Sequence, residues 1–282
     1  MIIAQITDLH LGFDGPEKPC LNTNRLREVI SELNDLKLQP NFVLLTGDLV
    51  ESGASWAYEN LKTELKALRA PYYLVLGNHD HRESFAEVFP EIPFDDGFLQ
   101  YTIEDGPLRV IVLDSMEEGR HGGAFCQRRA EWLDKTLSDD PDRPTLIALH
   151  HPPIETGIGW MTAHDDDEWV MRLNEVVSRY DNIVQIICGH IHRVMFKAFA
   201  GTNVSVAKAI APQVKLELAE IDPEKPDDRI LIIDSLSGYS LCHWRHGNLT
   251  THHATAPNGR PIIRYDDKHA YVIKKTLDLP ES

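Results

Sequence analysis

Apolar residues along the first two-thirds of the chain gather in short runs, and five of these runs stop on a polar residue able to bind metal. They are Ile2 to Thr7 before Asp8, Phe42 to Thr46 before Gly47-Asp48, Tyr72 to Leu76 before Gly77-Asn78, Thr145 to Leu149 before His150, and Ile183 to Cys188 before Gly189-His190. Their length and β-branched content predict buried strands. A sixth run, Arg109 to Leu113, ends at Asp114-Ser115 and carries no evident ligand. Between the early runs apolar positions recur at helical spacing, with Leu26, Val29, Ile30 and Leu33 on one face of Asn24 to Leu36 and Leu61, Leu65 and Leu68 on one face of Tyr58 to Leu68. Gln127 to Leu137 and Glu168 to Tyr180 read as two further helices. Strands alternating with helices predict an α/β unit over residues 1–200 with mostly buried strands. In such sheets the reactive site lies beyond the carboxyl ends of the strands, where the candidate ligands fall.

Beyond residue 200 the pattern changes to short strands at Val204 to Ile210, Val214 to Ala219, Arg229 to Ile233 and Tyr239 to Arg245. His246-Gly247-Asn248 reads as a hairpin turn that returns through Leu249 to His253, and Asp222 to Asp228 as a loop. No internal repeat or low-complexity tract interrupts the chain, so residues 1–282 are read as one domain.

Composition narrows the function classes. Hydrophobic residues make up 42% of the 282 and charged residues 26%, an ordinary globular balance that excludes a disordered or collagenous chain. A formal charge of −16 argues against polymeric nucleic acid as a partner, because such binding neutralises phosphates with clustered Lys and Arg. It leaves a small phosphate ester open, since bound cations make a site locally positive. Cys20, Cys126, Cys188 and Cys242 show no CxxC or finger spacing and read as reduced thiols. The amino terminus lacks the basic and apolar regions of a signal peptide, and no apolar run approaches the roughly 18 residues of a membrane span. A cytoplasmic location without membrane attachment is the default expectation.

Asp8-Leu9-His10 puts a carboxylate and an imidazole two residues apart at a strand end, where i and i+2 side chains share a face, so one metal ion could take both. Gly47-Asp48 and Gly77-Asn78-His79-Asp80 repeat the arrangement, and each glycine lets the chain turn sharply or approach an ion closely. His150-His151-Pro152-Pro153 and Gly189-His190-Ile191-His192 add imidazoles after two more strands. Oxygen and nitrogen donors without thiolate suit manganese, iron, zinc or cobalt better than a structural zinc cluster. Neither a GxSxG elbow nor a phosphate-binding glycine loop with its lysine is present.

Taken in order, DxH, GD, GNHD, HHPP and GHxH resemble the motif set of the calcineurin-like metallophosphoesterase superfamily, over residues 8 to 192. The short DxH start, the HHPP block and the β-rich tail look most like the class III cyclic nucleotide phosphodiesterases and the glycerophosphodiesterases similar to them. The resemblance implies a four-layer α-β-β-α sandwich of two mixed sheets flanked by helices, with residues 201–282 completing the second sheet. It implies two divalent ions, one on Asp8, His10 and His192, the other on Asn78, His150 and His190, with Asp48 bridging. His150 rather than His151 stands in the family's ligand position. His79 and Asn78 would face the phosphate, His79 as donor to the developing charge, and Asp80 would support His79. The implied reaction is hydrolysis of a small phosphodiester by metal-activated water, with cyclic nucleotides such as 3′,5′- or 2′,3′-cAMP first and glycerophosphodiesters second. A broad phosphomonoesterase and a non-catalytic scaffold of the same fold are the alternatives, and a homo-oligomer built through the tail or the 154–164 insertion is also implied. One departure is that relatives often carry a histidine shortly after a proline following GHxH, whereas Ala211-Pro212-Gln213-Val214-Lys215 has none.

Other conspicuous residues have plainer readings. Asp165 to Glu168 reads as a solvated cluster at a helix start, and His121-Gly122-Gly123 as a turn. His151 either reaches the pocket rim or packs against the backbone, and His81 is expected to be exposed. His243, His246, His252 and His253 fit solvent-facing strand positions. Trp56, Trp132, Trp169 and Trp244 read as core or interface anchors, while Trp160, within Ile154 to His164, is placed to overhang the pocket.

Overall fold

The computed structural model describes residues 1–16, 21–257, 259 and 261–277. Strands β1 (Ile2–Ile6), β2 (Phe42–Thr46) and β3 (Tyr72–Val75) lie parallel, connected through α1 (Leu21–Asp35) and α2 (Ser55–Leu65). The chain then passes through α3 (Arg82–Val88) and the short β4 (Tyr101–Ile103) into a second sheet. There β5 (Arg109–Val112), β6 (Thr145–Ala148) and β7 (Ile183–Cys188) run parallel, with α4 (Gln127–Asp139) and α5 (Glu168–Val177) between them. β8 (Met195–Phe199) and β9 (Thr202–Val206) close that sheet, giving the order β4-β5-β6-β7-β9-β8. A two-stranded ribbon of β10 (Gln213–Val214) and β11 (Ile232–Ile233) precedes the long hairpin of β12 (Ser237–Arg245) and β13 (Asn248–Ala256), and α6 (Ala270–Thr276) lies near the carboxyl end.

Three buried clusters divide the molecule into the expected four layers. Leu26, Val29, Tyr58, Leu61 and Phe85 from the helices meet Ala4, Ile6, Val43 and Leu45 on the outer face of the first sheet. Leu133, Leu137, Leu173 and Val177 cover Ile111, Ile147 and Ile186 on the outer face of the second. Between the sheets, Ile3, Phe42, Leu44 and Val75 face Val110, Val112, Leu146, Ala148 and Ile187. Alternate residues of each strand thus serve two different cores, which is why the strands read as continuous apolar runs.

The tail departs from the expected arrangement. Only β9 joins the second sheet, whereas β12 pairs antiparallel with β1 and extends the first sheet to β13-β12-β1-β2-β3. The alternation in β12 accounts for this. Tyr239 and Leu241 pack into the helix-side core while Cys242 and Trp244 enter the core between the sheets. α3 and β4 were not anticipated, because seven and three residues are too few to display a period.

The bland readings of several residues can be placed. Trp244 is 7% exposed in the core between the sheets, and Trp56, Trp132 and Trp169 pack partly buried against the outer clusters. His246, His252 and His253 are exposed on the hairpin. Cys126, Cys188 and Cys242 are free thiols, and Cys20 lies outside the described residues. Among the described residues no helix is long and apolar enough to cross a membrane.

Candidate metal centre

β1 and β2 of one sheet and β6 and β7 of the other end at the same rim of the sandwich, and polar crosslinks fix them there. Gln5, on the face between the sheets, donates through Nε2 to Thr46 Oγ1 and to the Cys188 carbonyl, both at 2.9 Å. The Asp8 N–H donates to the Gly47 carbonyl and the Gly189 N–H to the His150 carbonyl, each at 3.0 Å. Past the strand ends the backbone turns abruptly. Asp8, His10, Asp48, His190 and His192 all have positive φ, between 46° and 72°. This left-handed region costs a non-glycine residue roughly 1–2 kcal/mol, and its concentration in five candidate ligands marks a functional constraint. Asp8 and His10 therefore reach a common point through paired left-handed turns, not through the strand alternation expected from their spacing.

The side chains converge accordingly. Donor atoms of Asp8, His10, Asp48 and His192 lie within 4.8 Å of one another. Within that group His192 Nε2 stands 3.4 Å from Asp8 Oδ1, His10 Nε2 3.5 Å from Asp48 Oδ2, and the two Nε2 atoms 3.1 Å apart. On the other side His150 Nε2 stands 3.2 Å from Asp48 Oδ2, so Asp48 touches both groups, as a bridging carboxylate must. His150, His151 and His190 form a second cluster whose donor atoms also lie within 4.8 Å. Asn78 sits between Gly77, which packs on Asp48 and His150, and His79, whose N–H donates to Asp48 Oδ1 at 2.9 Å.

Each ring is oriented from behind. His150 Nδ1 donates to the Thr46 carbonyl at 2.8 Å and His192 Nδ1 to the Pro212 carbonyl at 2.7 Å, which leaves Nε2 of both rings facing the centre. The 211–215 segment thus supplies a backbone acceptor through Pro212. His10 Nδ1 is held by Glu51 Oε2 at 2.7 Å, the carboxylate–histidine pairing common behind metal ligands. Among the described residues, the buried polar atoms without a hydrogen-bond partner include Asn78 Oδ1, His150 Nε2 and His151 Nε2. Buried polar atoms are almost always satisfied, and a cation would give the Asn78 oxygen and the two imidazole nitrogens the partner they lack.

The electrostatics agree. Burial works to raise the Asp48 carboxyl, but His150, His10 and His79 outweigh it and hold it well below its usual range. Burial likewise opposes ionisation of Asp8, and His192 and His150 again prevail. Burial lowers His150 as well, yet Asp48 and Asp8 together raise it to about 9, so in the metal-free protein a proton sits where the carboxylates demand positive charge. His190, buried and next to His151 and His150, is pushed well below its ordinary value and kept neutral with a lone pair to give.

The roles expected for His79 and Asp80 separate. His79 borders the pocket, and its Nδ1 donates to the Glu51 carbonyl at 2.9 Å. Asp80 does not hold the His79 ring. Its Oδ2 accepts from the Gly77 N–H at 2.8 Å and the Leu49 N–H at 3.2 Å, and its Oδ1 from the Val50 N–H at 3.3 Å and the Tyr58 hydroxyl at 3.0 Å. Burial and the charge of Asp48 push Asp80 up to about 7 against the pull of those donors. It ties the turn after β2 to the turn after β3 and is not among the residues that line the pocket.

Two residues of the site carry no site role in the sequence reading. Glu51, three positions after Asp48, carries no motif signal beyond its place at a strand exit. His121, read as part of a turn, lines the pocket with its ring centroid 4.8 Å from that of His190 and 6.5 Å from that of His79. His151 is buried, with Nδ1 2.9 Å from Ser115 Oγ, its ring 4.7 Å from that of His190, and its Nε2, like that of His150, without a hydrogen-bond partner. His81 caps α3, accepting from the Ser84 N–H at 3.4 Å. The pocket over the centre has a volume of about 410 Å³, and Trp160 of the 154–164 insertion lines it, as expected.

Comparison with known proteins places this geometry. A family profile described as calcineurin-like phosphoesterase matches residues 1–194. A probable glycerophosphodiester phosphodiesterase of Arcobacter nitrofigilis is 31% identical over 259 residues, covering 89% of this chain and 92% of the relative. A probable cyclic nucleotide phosphodiesterase of Rhodopseudomonas palustris is 35% identical over 227 residues, covering 77% of this chain and 81% of that one. Among solved structures, a dimetal phosphatase from Danio rerio superposes with a TM-score of 0.64 at 15% identity over 90% of this chain and 95% of its own, a likeness of fold.

Proposed function

We propose that this chain, which belongs to the calcineurin-like phosphoesterase family, is a metal-dependent phosphodiesterase that takes small diesters, cyclic nucleotides such as 3′,5′- or 2′,3′-cAMP first and glycerophosphodiesters second. The observation that carries the reading is the position of Asp48, whose carboxylate groups with donors of Asp8, His10 and His192 and lies 3.2 Å from His150 Nε2, itself clustered with His190, while Asn78 Oδ1 is buried and unpartnered. Asp8, His10 and His192 would hold one divalent ion, Asn78, His150 and His190 a second, and Asp48 would serve both. The absence of thiolate from the donor set favours manganese, iron, zinc or cobalt. When bound, such a pair supplies acidified water and Lewis-acid stabilisation of a phosphoryl group.

The chain's own groups do the rest. Backbone carbonyls at Thr46 and Pro212 and the Glu51 carboxylate fix the tautomers of three rings, so that each presents Nε2. With Nδ1 committed to the Glu51 carbonyl, His79 has Nε2 left to meet a substrate oxygen, donating when the ring carries its second proton. The relatives support both substrate classes, one named for cyclic nucleotides at 35% identity over 77% of this chain and one for glycerophosphodiesters at 31% over 89%. The complete donor set speaks against a non-catalytic scaffold. Parallel assays on bis-p-nitrophenyl phosphate and p-nitrophenyl phosphate test the reading. Diester preference together with loss of turnover in Asp48→Asn is expected, whereas monoester preference or an unimpaired Asp48→Asn enzyme would overturn it.

A further inference from the structure

The pocket of about 410 Å³ is larger than a phosphoryl group needs, so part of it is left for the remainder of the substrate. In that part, away from the metal-binding groups, two lining side chains carry oxygen atoms that the fold does not use. Asn22 lies in the first turn of α1 and is 3% exposed. Its Nδ2 donates to the His10 carbonyl at 3.1 Å, which fixes the amide and leaves Oδ1 without a donor among the described residues. Asp14, in the loop between β1 and α1, accepts through Oδ2 from the Leu21 N–H at 3.1 Å, which ties its carboxylate to the residue next to Asn22. No group among the described residues donates to its Oδ1. An amide oxygen this well covered ordinarily has a partner, and on a pocket wall that partner is a ligand.

Both oxygens only accept, so the ligand group that meets them must donate. Ethers, esters and phosphate oxygens are excluded, and hydroxyl or ammonium groups remain. Trp160, on the same lining, adds an indole N–H, which only donates. A hydroxyl can give its proton to an oxygen and accept from the indole, whereas an ammonium group cannot accept. The rest of this half is hydrocarbon from Phe13, Leu21, Met161, Val214 and Ile232, a surface for the C–H edge of a polyol. His121, its ring beside that of His190, and Glu51, with Oε2 on His10 Nδ1, stand on the metal side and meet the part common to every substrate.

We propose that Asp14 and Asn22 form a hydroxyl-binding subsite for the arm of the substrate beyond the phosphate, and are the specificity-determining residues for that arm. The inference rests on the phosphodiesterase reading above and refines it. Both substrate classes named there carry hydroxyls on that arm, the diol of a glyceryl ester and the free ribose hydroxyl of a cyclic nucleotide. An arm of equal length without hydroxyls strips water from the two oxygens and replaces it with nothing, which penalises binding.

The test holds the leaving group constant and changes only the arm, using the glyceryl, propyl and 3-aminopropyl esters of p-nitrophenyl phosphate with the manganese-loaded protein. kcat/KM is expected to be about tenfold higher for glyceryl than for propyl, since a site that hydrogen-bonds a hydroxyl rejects the analogue lacking it. In Asp14→Ala and in Asn22→Ala the glyceryl-to-propyl ratio should fall several-fold. Any disturbance of His10 in the second variant acts on both esters alike and cancels in the ratio. Calorimetric binding of bis-glyceryl phosphate against dipropyl phosphate reads the same preference without turnover. A ratio near or below one, a ratio unmoved in both variants, or an aminopropyl ester that outruns the glyceryl ester overturns this inference and leaves the phosphodiesterase reading standing. Failure to hydrolyse any of the three sinks that reading, and the calorimetric ratio then decides the subsite's preference alone.

Discussion

Gly77→Ala is the most incisive perturbation of the centre, because it adds one methyl group where the turns after β2, β3 and β6 meet. A Cβ on Gly77 would lie 2.8 Å from His150 Cδ2 and closer still to the Asp48 carboxylate and N–H. Carbon atoms in contact prefer about 3.5–4.0 Å, so the His150 ring must retreat by roughly 0.7 Å or more, and Asp48, which lies nearer, must yield as well unless the Gly77 turn itself shifts. Either movement shifts a proposed ligand, and Asp48 is the one that both groups share. Gly77 has no positive φ, so alanine brings no backbone strain of its own, and the variant reports packing alone. Overfilling a tight site costs about 1–3 kcal/mol of stability. A displacement approaching 1 Å at reacting groups costs on the order of 100-fold in rate. Urea unfolding, calorimetric manganese titration of chelated protein, and kcat/KM on bis-p-nitrophenyl phosphate should show all three losses. Gly122→Ala, where the new methyl meets nothing within 4 Å, is the control. A Gly77→Ala protein that binds metal like the wild type and retains kcat/KM within about twofold would refute the packing argument.

Further outcomes follow from the surroundings of the centre. Glu51→Gln removes the charged partner of His10 Nδ1 while keeping its shape, so manganese affinity should fall about 10–100-fold with little change in melting temperature, and unaltered affinity would count against the pairing. Asp80→Ala strands the Gly77, Leu49 and Val50 N–H groups and the Tyr58 hydroxyl, so urea unfolding should show a loss of about 3–5 kcal/mol, with Asp80→Asn intermediate; a loss below about 1 kcal/mol would contradict the tie between the two turns. Burial raises the Cys188 thiol well above its ordinary value and Cys242 up to about 11, whereas at Cys126 hydrogen bonds from Arg129 outweigh a smaller burial and lower it. Of these three, iodoacetamide at pH 8 should therefore modify Cys126 first, with the other two reacting only after denaturation; peptide mass spectrometry reads the order, and early modification of Cys188 would count against it.

How much of this was legible beforehand depended on length and on which atoms carried the information. The strands ending at Asp8, Asp48, Asn78, His150 and His190 were readable because each serves two cores and so is apolar throughout. The helix faces of α1 and α2 were readable from spacing, with ends displaced by a few residues. Glu51 and Pro212 could not be found this way: Glu51 acts partly, and Pro212 wholly, through a backbone carbonyl, which every residue possesses. The left-handed turns at Asp8, His10, Asp48, His190 and His192 left no mark either, since Asp and His occur freely elsewhere. Asp80 was misplaced because its neighbour in sequence, His79, points into the pocket while its own carboxylate turns beneath the loops.

The central claim, that Asp48 is shared by two cation sites, is tested most directly by electron paramagnetic resonance during a manganese titration of the chelated protein. The account predicts an exchange-coupled pair at two equivalents in the wild type, replaced by uncoupled single-ion signals in Asp48→Asn. Saturation at one uncoupled ion per chain, or coupling that persists in Asp48→Asn, would contradict it.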